Sequence, residues 1–254
     1  MVKYDKGIIS TLTKTLWKDY ERHDFLLDGR EVIVVLPKTP APMNPWVWRA
    51  EFFDAFPSAD MALLENGWHL VYYNVSNMYG CPEAIKLMKR FHEFVITMPY
   101  SLNPRPVIFG FSRGGLYAFN YAADYPDEIS GLYLDAPVLD IRSWPGGKGT
   151  GQGSPNDWEE CLTVYGLTEE TAKGFSGNPL DKVERVAKAG IPIIVVAGDS
   201  DMAVPFLENA AILERKYNKH GGNIKMIVKP GVGHHPHSLE DPRPIIEFIL
   251  ESMR

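Results

Sequence analysis

Residues 110–115 read Gly-Phe-Ser-Arg-Gly-Gly, so that Gly110, Ser112 and Gly114 alternate along the chain. An apolar run, 106–109, leads into this stretch and a helix-like run, 116–123, leaves it. A serine at a sharp strand-to-helix turn has its hydroxyl exposed for attack on a carbonyl carbon. The glycines suit a strained turn whose neighbours approach backbone closely, where a Cβ would obstruct. The helix start behind the serine offers free N–H groups and a positive dipole end to a developing oxyanion. A serine hydroxyl is a weak nucleophile until a base takes its proton, and the usual base is a histidine oriented by a carboxylate. Two loops carry such groups. After the apolar run 191–197 comes Gly198-Asp199-Ser200-Asp201-Met202-Ala203-Val204-Pro205, and after 224–228 comes Pro230-Gly231-Val232-Gly233-His234-His235-Pro236-His237. On residues alone, Asp199, Asp201 and Asp135 are candidate acids and His234 and His235 candidate bases. His237 is read as a packing or hydrogen-bonding neighbour.

These loops need elements to hold them. Strands are expected over 31–36, 68–73, 107–109, 129–134, 191–197 and 224–228, with an early hairpin turning at Asp28-Gly29. Helices are expected over 48–55, 59–66, 82–97, 116–125, 179–189, 205–218 and 244–253. Short apolar runs separated by amphipathic helices indicate a mostly parallel sheet covered on both faces. The segment 141–176 breaks this alternation. It contains a glycine-dense loop, 145–153, and two short helical stretches, and it is read as a small cap-like insertion within one domain spanning 1–254.

The bulk numbers agree with an α/β enzyme. The chain has 254 residues, 45% hydrophobic and 23% charged, enough for one large core. A net charge of −6 with no basic block argues against nucleic acid or an anionic membrane as partner. The longest apolar runs are too short to span a bilayer, and the first six residues contain no signal-peptide core, so a cytoplasmic location is expected. Cys81 and Cys161 form no disulfide framework and no metal-ligand spacing. The histidines at 234, 235 and 237 lack a matching carboxylate or cysteine pattern, so neither a metal nor any other cofactor is expected. Oligomeric state is not readable from the sequence.

Three motifs in this order resemble the α/β-hydrolase fold, on its serine-esterase and dienelactone-hydrolase side. The resemblance implies a mostly parallel central sheet with helices on both faces and a nucleophile–acid–histidine order along the chain. The pattern at 198–205 resembles the acid loop and maps the acid onto Asp201. The pattern at 231–234 resembles the histidine loop and maps the base onto His234, with Ser112 as nucleophile. The amide of Arg113, after the nucleophile, is implied as one oxyanion donor. The other is expected from the loop after strand 31–36. There the chain departs from the His-Gly-Gly pattern of many relatives: Pro40, Pro42 and Pro45 have no N–H, leaving Thr39, Trp46 and Val47, of which Trp46 is taken.

Trp48, Arg49, Tyr79 and Trp144 are candidate substrate contacts, the tryptophans as apolar platforms and Arg49 as a carboxylate clamp. Core packing and a surface ion pair are the competing roles for Trp48 and Arg49. The resulting expectation is a serine esterase acting on a small-molecule ester, with an acylated carbohydrate as the favoured class. A peptidase of the same fold and a non-catalytic binder are the alternatives. Relatives with dehalogenase or epoxide-hydrolase chemistry use Asp where this chain has Ser112.

Overall fold

The computed structural model describes residues 2–4, 7–9 and 11–252. Met1, Asp5 and Lys6 of the leading segment and Met253, the expected end of the last helix, lie outside the described residues. Eleven strands among the described residues join in one sheet: β1 (Val2–Tyr4), β2 (Gly7–Ile9), β3 (Thr13–Trp17), β4 (Tyr20–Leu27), β5 (Arg30–Val35), β6 (Trp46–Arg49), β7 (His69–Tyr73), β8 (Val107–Phe111), β9 (Gly131–Asp135), β10 (Ile193–Gly198) and β11 (Ile224–Lys229). The spatial order is β1-β2-β4-β5-β7-β6-β8-β9-β10-β11, with β3 paired on β4. From β7 to β11 every neighbouring pair is parallel, and the pairs from β1 to β7 are antiparallel.

The α-helices are α1 (Ser58–Glu65), α2 (Pro82–Val95), α3 (Gly114–Asp124), α4 (Pro155–Tyr165), α5 (Glu169–Lys173), α6 (Val183–Lys188), α7 (Ala210–Lys219) and α8 (Arg243–Ser252). Helices α1 and α8 pack on one face of the sheet, and α2, α3, α6 and α7 on the other. The central strands β5 to β10 are buried on both faces, so their residues alternate between two cores. Along β5, Val32 and Val34 enter the core beneath α2 and α3, while Ile33 and Val35 enter the core beneath α1 and α8. That double burial explains the continuous apolar runs in the sequence.

Four strands, β1, β2, β3 and β6, were not among those expected, and β6 replaces an expected helix. Residues 48–55 were expected to be helical, whereas Trp46–Arg49 is β6, seated between β7 and β8. The residues after it cannot be helical, because Phe52, Asp54 and Phe56 all have left-handed backbone, with φ of 53°, 70° and 47°. The long expected helices at 179–189 and 205–218 are each broken, with a 3₁₀ turn preceding α6 and α7.

Trp48 is a core residue. It is 1% exposed and its ring packs on Phe91 and Tyr121 at centroid distances of 5.3 and 5.1 Å. Replacing it should therefore damage stability directly: Trp48→Ala should cost about 3–5 kcal/mol in urea unfolding, and a loss below about 1 kcal/mol would show that its packing is dispensable.

Candidate active site

The C-terminal ends of the parallel strands bring three loops together. Ser112 follows β8 with φ of 49°, a left-handed backbone that costs a non-glycine residue energy and must be held from outside. Its N–H donates to the Asp135 carbonyl at 2.8 Å, and its carbonyl accepts from Gly115 and Val138 at 3.0 and 2.9 Å. Gly115 is required here for space, since a Cβ would lie 2.7 Å from Pro137 Cβ and 2.8 Å from the Val138 carbonyl oxygen.

The histidine loop after β11 is tied to the loop after β10. Asp199 Oδ1 accepts from the Gly231 N–H at 2.7 Å, and the Ser200 N–H donates to the Val232 carbonyl at 3.0 Å. Asp199 is thus the clasp between the loops. Asp201 Oδ1 accepts from the Ala203 and Val204 amides at 2.9 and 2.8 Å, which fixes the carboxylate and leaves Oδ2 for His234 Nδ1 at 2.7 Å. His234 Nε2 lies 2.9 Å from Ser112 Oγ. Ser112, His234 and Asp201 therefore form one continuous hydrogen-bonded chain. Such a chain moves the serine proton to the imidazole and holds the other ring nitrogen in its N–H form.

Asp135 has a different partner. It is fully buried and bonds His237 Nδ1 at 2.8 Å, while its Oδ2 accepts from Tyr133 Oη and the Ser238 amide at 2.6 and 2.8 Å. His235 is exposed, stacked on Phe56, and burial together with the neighbouring His237 and His234 lowers its pKa.

Beside Ser112 lies a cavity of about 200 Å³, lined by Phe52, Ala55, Phe56 and Phe111 together with Ser112 and the three histidines. A larger groove of about 600 Å³ shares only Phe56 and His237 with it and does not reach Ser112. Four of the expected substrate contacts are absent from the cavity wall. Trp48 is in the core, as above. Arg49 is 1% exposed; its Nε pairs with Asp60 at 3.2 Å, its guanidinium donates to the Ala55 carbonyl, and it covers the Phe111 ring at 4.1 Å. It braces the 50–56 loop from beneath and does not clamp a substrate. Burial pushes the Asp60 carboxyl pKa up and Arg49 opposes that shift. Tyr79 is buried, its hydroxyl lying 2.7 Å from a carboxylate oxygen of each of Asp157 and Glu160, between which its one proton is shared, and Trp144 packs against its ring at 6.2 Å.

Trp46 is not an oxyanion donor. It begins β6, and the register of β6 on β8 pairs Val47 with Val107. Trp46 is thus level with residue 106, six residues short of Ser112, or roughly 20 Å along the strand direction. Its indole N–H donates to the Asn103 carbonyl at 2.6 Å, on the opposite edge of the sheet. The loop that does approach Ser112 follows β6, and Phe52 and Phe56, which sequence reasoning did not select, come from it. The signal was present as a clustered Phe-Phe-Asp-Ala-Phe run directly after an aromatic, β-branched segment.

Arg113 begins the turn into α3. Its guanidinium lies 3.5 Å from Glu51 and 3.8 Å from Asp157, and over the Phe52 and Tyr79 rings. Burial works to lower its pKa, but the surrounding acidic groups, Glu51 foremost, raise it overall. Burial likewise pushes the Glu51 carboxyl pKa up, against Arg113 and a 2.8 Å hydrogen bond from Ser76.

A model of the prolyl oligopeptidase family matches residues 86–253, about two thirds of the chain and all three loops. The chain belongs to the prolyl oligopeptidase family. It is a serine hydrolase of the α/β-hydrolase fold. Est1E from Butyrivibrio proteoclasticus is similar in structure, with a TM-score of 0.65 and 19% identity over 96% of this chain and 99% of that one. The dipeptidyl peptidase 4 of Porphyromonas gingivalis has a TM-score of 0.67 and 14% identity over 95% of this family member, which spans only 35% of that peptidase. A protein of Acinetobacter baumannii AYE assigned as a lipase has a TM-score of 0.61 and 17% identity, covering 95% of this chain and 92% of that one. No curated protein matches the sequence. Among the described residues, no helix is long and apolar enough to cross a membrane.

The two Asp–His pairs should separate on mutation. Asp201→Asn should lower kcat by about 10⁴-fold with the fold intact, because the imidazole loses its required tautomer. Asp135→Asn should lower the unfolding midpoint and reduce kcat by less than about tenfold. Steady-state kinetics paired with urea unfolding of both variants checks this, and equal kcat losses would assign the acid differently.

Proposed function

We propose that the protein hydrolyses small carboxylic esters through an acyl-enzyme formed on Ser112. The observation that carries this is the unbroken Ser112–His234–Asp201 chain opening onto a small apolar cavity. Ser112 Oγ attacks the ester carbonyl as His234 Nε2 takes its proton, and Asp201 stabilises the imidazolium. The oxyanion is held by the Arg113 amide at the start of α3 and by a backbone amide of the loop after β6, with Phe52 as the donor residue. His234 returns the proton to the departing alcohol. It then takes a proton from water, which attacks the acyl-enzyme and releases the carboxylate.

The cavity supports an ester more than a peptide with a free amino terminus. Apart from Ser112 and the three histidines its wall is phenylalanine and alanine, and the nearby carboxylates have partners: Glu51 and Asp157 face Arg113, and Asp157 and Glu160 flank the Tyr79 hydroxyl. Trp48, Arg49 and Trp144, the residues that favour an acylated carbohydrate, are off the cavity wall, so the substrate is a small ester with no sugar specified. The segment 141–176 is proposed as a cap. It carries α4 and α5, and it reaches the acid loop through the Gln152 N–H to the Met202 carbonyl at 3.2 Å and through Ser143 to Glu208 at 2.6 Å. The peptidase reading has one specific support, the family itself.

Intact mass after fluorophosphonate treatment should show one adduct on wild type and none on Ser112→Ala. Short-chain aryl esters should then be hydrolysed with kcat/KM well above that for aminoacyl anilides, and the reverse order would favour the peptidase.

A further inference from the structure

The three histidines of the 234–237 loop meet in space as well as in sequence. The ring centroids of His234, His235 and His237 are 4.8–5.0 Å apart, and their planes stand at 69° to 87° to one another. One nitrogen from each lies within 4.8 Å of the other two. Rings this close and this steeply inclined can each turn one nitrogen towards a single ion. The outer shell is also in place. His237 Nδ1 is held by the buried Asp135 and His234 Nδ1 by the buried Asp201, so Nε2 is the remaining ligand atom of each ring, that of His234 facing Ser112 Oγ at 2.9 Å. Carboxylate–histidine pairs of this kind fix the tautomer and orientation of metal-binding imidazoles.

We propose that His234, His235 and His237 form an inhibitory site for Zn²⁺. Three imidazoles suit this borderline-soft ion, which takes ligand nitrogens at about 2.0–2.1 Å and a water in its fourth position. Tetrahedral binding needs nitrogens about 3.4 Å apart, so a pair 4.8 Å apart must close by about 1.4 Å. His235, exposed at the mouth of the cavity, has room to do this. Coordination balances simply. The His234 Nε2 lone pair passes from the Ser112 hydroxyl to the metal, the Ser112 proton stays on its oxygen, and the Nδ1 protons stay on Asp201 and Asp135. Ser112 loses its base, and the cavity beside it is filled. The site and the metal that fills it differ from the catalytic roles given above, but the loss of activity on binding rests on His234 being the base.

Direct binding and activity test the two parts separately. Metal-free Ser112→Ala should take up one Co²⁺ per chain, used as a coloured substitute for Zn²⁺, with the intense visible absorption of a four-coordinate ion, and Zn²⁺ should displace it. His235→Ala in the same background should weaken binding at least tenfold. His235→Asn should do the same, and His220→Ala, a remote histidine, should not. In the protein with Ser112 intact, Zn²⁺ should suppress both ester turnover and fluorophosphonate labelling, chelator should restore them, and His235→Ala should shift the half-inhibiting concentration upward at least tenfold relative to its own metal-free rate. No Co²⁺ uptake, or uptake unchanged in His235→Ala, would overturn the site. Uptake with full labelling of Ser112 would overturn its inhibitory effect. Metal binding by a protein that never labels at Ser112 would leave the site standing and sink the hydrolytic role of Ser112 instead.

Discussion

A serine with φ of 49° has no intrinsic reason to remain there, and everything at this site depends on its doing so. The restraint comes from the sheet. The Ser112 amide is bonded to the last residue of the adjacent strand, and its carbonyl is bonded to the turn into α3 and to the segment leaving β9. Register between β8 and β9, set by residues buried on both faces, thus fixes the hydroxyl. Gly115 then allows α3 to start against Pro137 without a clash. The elbow is a property of two packed cores more than of the six residues that spell it.

The carboxylates around the elbow divide the work by where their oxygens are already spent. Asp201 uses one oxygen on two backbone amides and offers the other to His234. Asp199, two residues earlier, spends an oxygen on the Gly231 amide and so joins two loops that carry different members of the chain. Asp135 is filled by Tyr133, Ser238 and His237. Three acids near the C-terminal ends of the adjacent strands β9 and β10 therefore serve as orienter, clasp and buried anchor, and only their hydrogen-bond partners tell them apart.

The sheet, the serine turn and the loops bearing Asp201 and His234 were legible in the sequence because each rests on a local signal: an apolar run, then glycine, then a polar residue. The strand β6 was not. All four of its residues are buried, one of them an arginine, so neither the period nor the polarity marks it as a strand. Missing it assigned the second oxyanion donor to the loop before β6, when the loop that reaches Ser112 comes after it. The same omission made Trp48 and Arg49 look like surface candidates. Tyr79 follows β7 and Trp144 packs on its ring, but the acids of α4 that engage the Tyr79 hydroxyl are distant in sequence. No local pattern encodes that pairing. The adjacency of three histidines was visible as letters, yet their mutual orientation depends on Asp135, which is held from another strand.

Arg113 stands between two carboxylates on different pieces of the molecule, Glu51 on the loop after β6 and Asp157 on the inserted helix α4. The first piece forms a wall of the cavity, and the second belongs to the insertion proposed above as a cap. A single guanidinium therefore joins the cavity lining to the inserted helix. If the insertion acts as that cap, a substrate bulky enough to lift α4 must part an ion pair as well as displace side chains. Ions in the medium would then weaken the link where it is exposed to them. Selectivity for substrate size would become a quantity that ionic strength tunes, with the reacting groups themselves unchanged.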